Sequence, residues 1–242
     1  NDQNPDVLHC HMYNSNLIGF IISKFIKKRV KLIWSVYCDL PFSKNFSLFT
    51  KFCSIMNILL SYNSSVKKTI FCSNSGLNNH INFFFNKKKS KLLHLGFKDN
   101  LNYNDKKRHF FRKKLNFNKD DIVIGNLSRY DPEKDHKNLF LAFNEFLHKN
   151  NNLNVKLLCA GPNISIKNKH LLKSLHQSIN KIYLNNVLLI DSIKDIEDFY
   201  SSIDLFVLSS YNEAFPNVIC EAMLCKQLIV STNVGHISEI IG

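Results

Sequence analysis

The chain has 242 residues, of which 45% are hydrophobic, and a formal net charge of +13 at pH 7. This length and composition predict a globular protein of one large or two medium domains. No apolar run approaches the roughly 18 to 20 residues of a membrane-spanning helix and no signal peptide opens the chain, so we expect a cytoplasmic protein. Seven cysteines without a C-x-x-C pair predict free thiols in a reducing compartment.

The positive charge is concentrated in the first half of the chain. Residues 1–120 contain 21 Lys and Arg against 6 Asp and Glu, whereas residues 121–242 contain 11 against 13. Aromatic runs precede two of the basic clusters, one directly and one across Asn86. Such segments suit an anionic membrane surface or nucleic acid, and a solvated basic face is the third interpretation. The clusters are Lys27-Lys28-Arg29, Lys87-Lys88-Lys89 with Lys91, Lys106-Lys107-Arg108 and Arg112-Lys113-Lys114, and the aromatic runs are Phe83-Phe84-Phe85 and Phe110-Phe111.

Hydrophobic periodicity predicts an α/β organisation in the first half. Strands that alternate with helices imply a doubly wound parallel sheet. His11 falls at the carboxyl end of the first strand and is expected to point into a cleft, although such a histidine is often structural. The predicted strands are 6–11, 30–36, 69–72 and 91–95, and the predicted helices are 16–25, 47–62 and 75–84.

After a polar linker at 101–120 with a short basic helix, the same pattern begins again. The predicted domains are therefore 1–100, on the acceptor side, and 121–242, on the nucleotide side, as two Rossmann-like halves that face each other. The second half has predicted strands at 122–125, 155–160, 187–190, 205–208 and 228–231, and helices at 137–147, 166–180, 196–202 and 218–225.

Charged residues follow two strands of the second half. Arg129 and Lys134 lie in a strand-to-helix turn, where an arginine fork and a lysine charge can hold a diphosphate. Glu213 lies in the loop after strand 205–208, and Glu221 lies eight positions later in the next helix. Both belong to the carboxyl edge of the sheet, where open α/β sheets bind ligands. Two ordinary surface carboxylates are the alternative interpretation.

The start of that helix has its own signals. Pro216 suits a first turn, and the side chain of Asn217 can cap free N–H groups. The helix N-terminus would then present its positive dipole end to an anion.

Several segments resemble family 4 glycosyltransferases, retaining sugar-nucleotide enzymes with two facing Rossmann-like domains (the GT-B fold). The resemblance runs from about residue 5 to the end of the chain. The glycine-rich loop and the C-terminal crossing helix of the family have no counterpart, so we expect both domains to be incomplete. The segments are PDVLHCHMYN, IGNLSRYDPEKDHKNLFLAF, VLLIDSIKDIEDFYSSIDLFVLSS, SSYNEAFPNVICEAML and LIVSTNVGHISEII.

The resemblance implies roles for individual residues. Glu221 matches the second glutamate of an E-x7-E motif, which binds the ribose hydroxyls, and Glu213 matches the first, near the donor sugar. Arg129 and Lys134 match the basic pair that stabilises the leaving diphosphate. The remaining implied site residues are Phe215, Pro216 and Asn217 at the donor sugar and Val218 at the helix start that meets the diphosphate. His11 is added as a catalytic candidate because of its position at the end of the first strand.

Some positions depart from the family pattern. Ala214, Lys226 and His236 stand where glycine is common, Leu228 replaces a proline, and Tyr37 occupies a place where many members have a histidine.

The resulting functional prediction is a retaining glycosyltransferase that moves a sugar from a UDP- or GDP-sugar to an acceptor hydroxyl. The acceptor is expected to be a glycan or a lipid-linked glycan of cell-surface polysaccharide or lipopolysaccharide type. The enzyme is expected to be cytoplasmic and peripheral at the inner membrane face, with no cofactor, no metal and no nucleic-acid partner. A non-catalytic nucleotide-binding remnant is the alternative, and a nucleic-acid-binding protein is favoured by charge alone.

Overall fold

The computed structural model of the chain describes residues 5–26, 28–43, 45–97 and 100–242. These residues form two compact units, one comprising Asn1–Gly96 with Glu213–Phe215, and one comprising Phe97–Asn212 with Pro216–Gly242. Lys27, the first member of a predicted basic cluster, lies outside the described residues.

The first unit contains a four-stranded parallel sheet in the order β1-β2-β3-β4. Its largest buried side chain is Trp34 on β2, which packs with Leu32, Cys10 and Val66. The strands are β1 (Val7–His11), β2 (Lys31–Val36), β3 (Val66–Phe71) and β4 (Ser90–Leu92), and the helices are α1 (Met12–Ser23), α2 (Leu48–Leu60) and α3 (Asn74–Asn82).

The second unit contains a five-stranded parallel sheet in the order β7-β6-β5-β8-β9. The strands are β5 (Ile122–Leu127), β6 (Val155–Ala160), β7 (Val187–Ile190), β8 (Leu205–Leu208) and β9 (Leu228–Ser231). The helices are α4 (Asp105–Lys114), α5 (His136–Lys149), α6 (Lys169–Ser178), α7 (Ile196–Ser202), α8 (Asn217–Leu224) and α9 (Ile237–Ile241), with short 3-10 helices at Pro132–Lys134 and Lys181–Asn186.

Helices cover both faces of this second sheet. Alternate residues of a strand point to opposite faces. Leu158 on β6 accordingly packs with Phe199 of α7 and Ile219 of α8, whereas Leu157 packs with Phe140 of α5 and Leu171 of α6. The prediction of an α/β fold with two parallel sheets is confirmed, and of the two sheets it is the second whose strand order reverses.

Short polar side chains set the starts of several helices. Ser47 accepts a hydrogen bond from Thr50 N at 3.1 Å, and Ser73 accepts one from Gly76 N at 3.0 Å. Asn168 accepts bonds from His170 N and Leu171 N, which is why α6 begins at Lys169 and not at the predicted residue 166. Each cap satisfies N–H groups that the first helical turn leaves unpaired.

The basic helix predicted in the linker is α4, and ion pairs attach it to the residue that precedes β8 in the second unit. Arg108 and Arg112 each contact one carboxylate oxygen of Asp204 at 2.6 Å. Arg112 also donates to the carbonyl oxygens of Ser202 and Asp121, and Asp204 accepts from Val123 N at 2.8 Å. Asp204 therefore links the helix to the starts of β5 and β8.

All seven cysteines have free thiols, as predicted. Within the described ranges, no helix is long and apolar enough to cross a membrane.

Candidate functional site

The order of strands in the second sheet reverses between β5 and β8. The chain adds β6 and β7 on one side of β5 and then adds β8 and β9 on the other side. Since β5 and β8 are parallel neighbours, their carboxyl ends lie side by side. Connections diverge from such a reversal, called the switch point of the sheet, and leave a crevice where α/β proteins bind ligands. The loop with Arg129 and Lys134 and the loop with Glu213 both start here.

The carboxylate of Asp131 helps to order the loop after β5. Asp131 accepts a hydrogen bond from Glu133 N at 2.9 Å through Oδ1, and its Oδ2 lies 3.2 Å from Arg129 Nε. The turn Pro132–Lys134 follows, and then Asp135, at φ 45°, caps α5 by accepting from Asn138 N at 3.2 Å. The side chain of Arg129 remains 57% exposed, so its guanidinium is accessible to a ligand.

Three hydrogen bonds join this loop to the segment after β8. Tyr211 N donates to Glu133 O at 3.0 Å, and Ser209 Oγ donates to Lys134 O at 2.9 Å. Asn212 Nδ2 donates to Glu133 Oε1 at 3.2 Å. The structure thus brings the segment with Arg129 and Lys134 together with the connection that leads from β8 to α8.

Buried His136, which was not predicted from the sequence, is hydrogen-bonded to Ser128 at the start of the same loop. Ser128 Oγ donates to Asn126 Oδ1 at 3.0 Å, so it accepts a hydrogen bond from His136 Nε2, 3.2 Å away. Asn126 Nδ2 in turn donates to Val207 O on β8 at 2.9 Å. Burial lowers the pKa of His136 to about 4, so the imidazole is neutral at pH 7. This chain of bonds holds β5, β8 and the start of α5 in register.

The signal that could have identified His136 is its position. It directly follows the Arg129–Lys134 turn and is the first residue of α5. A histidine at this position in the sequence lies close to the switch point, even before its burial and hydrogen bonds are known.

The start of α8 differs from the prediction. Pro216, with extended backbone angles, occupies the cap position, and Asn217 is already the first helical residue. The expectation that the Asn217 side chain caps the helix is wrong, because a helical residue cannot reach the N–H groups of its own first turn in this way. The helix start has no side-chain cap, and the Asn217 side chain is exposed.

Glu221 is a half-buried carboxylate with a partner of its own. Burial raises the pKa of the Glu221 carboxyl, and a hydrogen bond from Tyr200 opposes this shift. The Tyr200 hydroxyl donates to Glu221 Oε2 at 2.9 Å and lies 3.1 Å from Val218 O. Tyr200 is fully buried and extends from α7 beneath α8. The interpretation of Glu221 as an ordinary surface carboxylate does not fit this environment.

The other predicted site residues are distributed between the two units. Glu213 and Phe215 are half-buried and group with the first unit, whereas Pro216 and Val218 group with the second. His11 is an exposed residue at the end of β1 in the first unit, with Nδ1 2.8 Å from Tyr37 Oη and the two rings stacked.

Lys226 stands where the family pattern has glycine, and its backbone has a conformation that favours glycine. Lys226 adopts φ 56°, in the left-handed region that favours glycine. The lysine thus carries a small conformational cost, of about 1 kcal/mol, after the end of α8.

In the part of the chain that the structure describes, no group of three or more His, Cys, Asp and Glu side chains could hold a metal ion.

Comparison with known proteins connects this geometry to one family. The family model described as Glycosyl transferases group 1 matches residues 107–242, which include the whole switch-point region. The chain is 28% identical over 258 aligned residues to the capsular polysaccharide biosynthesis glycosyltransferase CapM of Staphylococcus aureus, covering 99% of the chain and 62% of that relative. A shorter match, 38% over 47 residues, covers 19% of the chain and 12% of the putative teichuronic acid biosynthesis glycosyltransferase TuaC of Bacillus subtilis.

Solved structures share the fold. HepE of Anabaena, crystallised in complex with UDP and glucose, superposes with a TM-score of 0.81 at 22% identity, over 98% of this chain and 62% of that protein. The chain thus spans 62% of the length of CapM and of HepE. Because the family model matches more than half of the chain, the chain belongs to the glycosyl transferases group 1 family.

Proposed function

We propose that the chain binds a nucleotide-diphosphate sugar at the switch point of its second unit, and that it belongs to a retaining glycosyltransferase that transfers the sugar to an acceptor hydroxyl. The observation that carries the proposal is the arrangement at this point. An exposed arginine on an ordered loop, a helix start without a side-chain cap and a half-buried glutamate all follow the two strands at which the sheet reverses.

Each group has a defined task in this proposal. As the glycosidic bond to the donor breaks, negative charge grows on the departing diphosphate, and fixed cations and N–H dipoles lower the energy of that state. Arg129 and Lys134 provide the cations, and the start of α8 at Val218 provides the dipoles. Glu221 accepts hydrogen bonds from the ribose hydroxyls. These groups stabilise the leaving group without help from a metal ion.

The donor sugar is assigned to the loop before α8. Glu213, Phe215, Pro216 and Asn217 surround it in the proposal, and His11 is the proposed catalytic residue of the first unit. Because HepE was crystallised with UDP-glucose at 23% identity to this chain, a UDP-sugar is the first donor to test, followed by a GDP-sugar.

The proposed acceptor is a glycan or lipid-linked glycan at the cytoplasmic face of a membrane. Support comes from the names of the relatives, which act in capsular polysaccharide and, as a putative assignment, teichuronic acid synthesis. The basic first half of the chain suits a site close to anionic lipids.

Calorimetric titration with UDP, GDP and ADP tests the donor site. Glu221→Ala should weaken binding of the preferred nucleotide about ten-fold or more, because two hydrogen bonds to a charged group are lost. Arg129→Ala should act mainly on the rate of donor hydrolysis. Lys173→Ala, at an exposed position of α6, is the matched control.

Unchanged nucleotide affinity in Glu221→Ala, together with unchanged hydrolysis in Arg129→Ala, would contradict the site. Nucleotide binding without any hydrolysis or transfer would instead favour the non-catalytic remnant.

A further inference from the structure

Helix α2 in the first unit exposes an apolar ridge. Its six members, Leu48, Phe49, Phe52, Ile55, Leu59 and Tyr62, are 86%, 59%, 52%, 48%, 63% and 60% exposed. Leu48, Phe52, Ile55 and Leu59 follow one another at spacings of four, three and four residues, which places them on one face of the helix. Tyr62 continues the ridge in the turn after the helix. Monomeric proteins rarely expose contiguous apolar surface of this kind, and where it occurs it marks an interaction site.

The opposite face of α2 is buried, and polar side chains there lie beside the core residue Cys53. Ser54 and Asn57 are fully buried, and Asn57 Nδ2 donates to Tyr13 O at 3.0 Å and to Cys53 O at 2.8 Å. A surface helix normally has its apolar residues inside and its polar residues outside. Helix α2 departs from this pattern, because it buries Ser54 and Asn57 while it leaves its ridge of large apolar side chains exposed. The hydrogen bonds of Asn57 stabilise the helix in that orientation.

Cations adjoin the C-terminal end of the ridge. The Tyr62 hydroxyl donates to Phe84 O at 3.1 Å, and Phe84 is itself 75% exposed. Lys89 Nζ donates to Ser61 O at 3.0 Å and to Asn63 O at 2.7 Å, which ties its turn to the end of α2. The neighbours of Lys89 in that turn, Lys87 and Lys88, are exposed.

Few acidic groups oppose these cations. Helix α2 contains no Asp or Glu, and Asp6 and Asp39 are the only acidic residues in the described ranges between 5 and 97. Asp6 pairs with Lys28 at 2.5 Å, and Asp39 Oδ2 accepts from Asn79 at 3.0 Å. The surface around the ridge therefore has a positive charge.

We propose that the α2 ridge docks the protein onto the surface of an anionic phospholipid bilayer. The aromatic and aliphatic side chains enter the boundary between headgroups and acyl chains, while Lys87 and Lys88 contact lipid phosphates. Lysine is depleted from protein–protein interfaces, so the combination of this ridge with lysines fits lipid better than a protein partner. The helix lies in the plane of the surface, because its 13 residues are too few to span the bilayer.

The proposal extends the proposed function by naming the surface that would bring the enzyme to a lipid-linked acceptor. Vesicle binding is measured without donor or acceptor. If the chain binds no vesicles, the proposed donor site is therefore not contradicted. If the chain binds no nucleotide, the proposed lipid-binding surface is not contradicted.

Vesicle co-sedimentation of the chain tests the inference. Vesicles of phosphatidylcholine alone are compared with vesicles that contain equal parts of phosphatidylcholine and phosphatidylglycerol. The chain should bind the mixed vesicles more tightly, and added salt should weaken this binding. Phe52→Ser and Leu59→Ser should each lower the affinity about ten-fold, and Lys87→Glu with Lys88→Glu should lower it at least five-fold per position on the mixed vesicles only.

The matched controls lie in the second unit. Ile166 and Ile182 are 73% and 70% exposed, so Ile166→Ser and Ile182→Ser remove similar apolar side chains elsewhere, and Lys173→Glu repeats the charge reversal on α6. All three controls should bind as the unchanged chain does.

Equal binding to both kinds of vesicle, or full binding by the ridge variants, would overturn the proposal. So would a chain that binds no vesicles and forms a dimer in sedimentation velocity that Phe52→Ser dissociates, because the ridge would then be a protein interface.

Discussion

The hydrogen bond from Tyr200 to Glu221 gives a quantitative test of how the fold sets the charge of the candidate ribose ligand. Burial raises the pKa of Glu221, and the 2.9 Å bond from the Tyr200 hydroxyl lowers it again. Tyr200→Phe removes the hydroxyl and keeps the ring that packs beneath α8. A hydrogen bond to a charged group contributes about 1.5 to 3 kcal/mol, and one pKa unit corresponds to about 1.4 kcal/mol. Since Val218 O competes for the same proton at 3.1 Å, we use the lower end of this range and expect Tyr200→Phe to raise the pKa of Glu221, because burial then acts without the opposing hydrogen bond.

The assay is nucleotide affinity, measured by calorimetry as a function of pH. Only the ionised carboxylate offers all its lone pairs to the ribose hydroxyls, so affinity should fall as the pH drops through the pKa of Glu221. In Tyr200→Phe this loss should begin at a higher pH than in the unchanged chain. In Glu221→Gln the acid-dependent loss should disappear.

Tyr183→Phe is the matched control, because Tyr183 is half-buried in the same unit and packs against the opposite core cluster. If nucleotide affinity falls at the same pH in Tyr200→Phe and in the unchanged chain, the reasoning is refuted, because the hydroxyl then has no influence on the protonation of the Glu221 carboxylate.

Three further predictions concern stability. Asp204→Asn should lower the free energy of unfolding in urea by about 3 kcal/mol, because Arg112, with 7% of its side chain exposed, loses its counter-charge. Gly161→Ala should cost about 1 to 3 kcal/mol and also weaken nucleotide binding, because Gly161 adopts φ 135° and a Cβ there would lie 2.3 Å from Ser128 O, next to the Arg129 loop. The third prediction concerns pH. The folded pKa of His136 is about 4 against about 6.5 in the unfolded chain, so the unfolded chain binds more protons between these values and stability is lost as the pH falls through this window. His136→Gln should remove up to about 3 kcal/mol of that loss, measured by urea unfolding at several pH values.

Each of these predictions has a control in the same chain. Glu145→Gln breaks only the exposed pair with Lys149 and should cost less than about 0.5 kcal/mol. Gly96→Ala meets no atom within 4 Å and should be nearly neutral. His148→Gln, at an exposed position of α5, should leave the pH dependence unchanged. An effect of the same size in a control and in its partner variant would mean that the assigned contact is not the cause.

Much of the fold could be predicted because the strands are short and nearly continuous apolar runs. The predicted strands 155–160, 187–190, 205–208 and 228–231 have the observed bounds. Short elements without such a pattern were not predicted, among them the 3-10 helix at Lys181–Asn186 and helix α9. Their few residues pack against elements that are distant in sequence, and no local period reports that contact.

Some residues of the candidate site could likewise be selected from the sequence, and others could not. Arg129, Lys134, Glu213 and Glu221 could be selected because charged residues after predicted parallel strands belong to one edge of the sheet. Tyr200 could not be selected in this way. Its sequence context is that of any buried aromatic residue in a short helix, and only the packing of α7 beneath α8 shows that its hydroxyl meets Glu221.

By itself, the sequence determined the alternation of strands and helices, the family resemblance and the positions of the charged residues, because these depend on neighbours along the chain. Tertiary structure alone decided which of these residues share an environment. The strand order places β8 beside β5 and so joins the Arg129 loop to the segment before α8. Packing also decided that α2 leaves a ridge of apolar side chains exposed, since Asn57 finds its hydrogen-bond partners in the interior. Hydrogen bonds and burial between distant residues are the physical reason for both results, and neither leaves a periodic trace in the sequence.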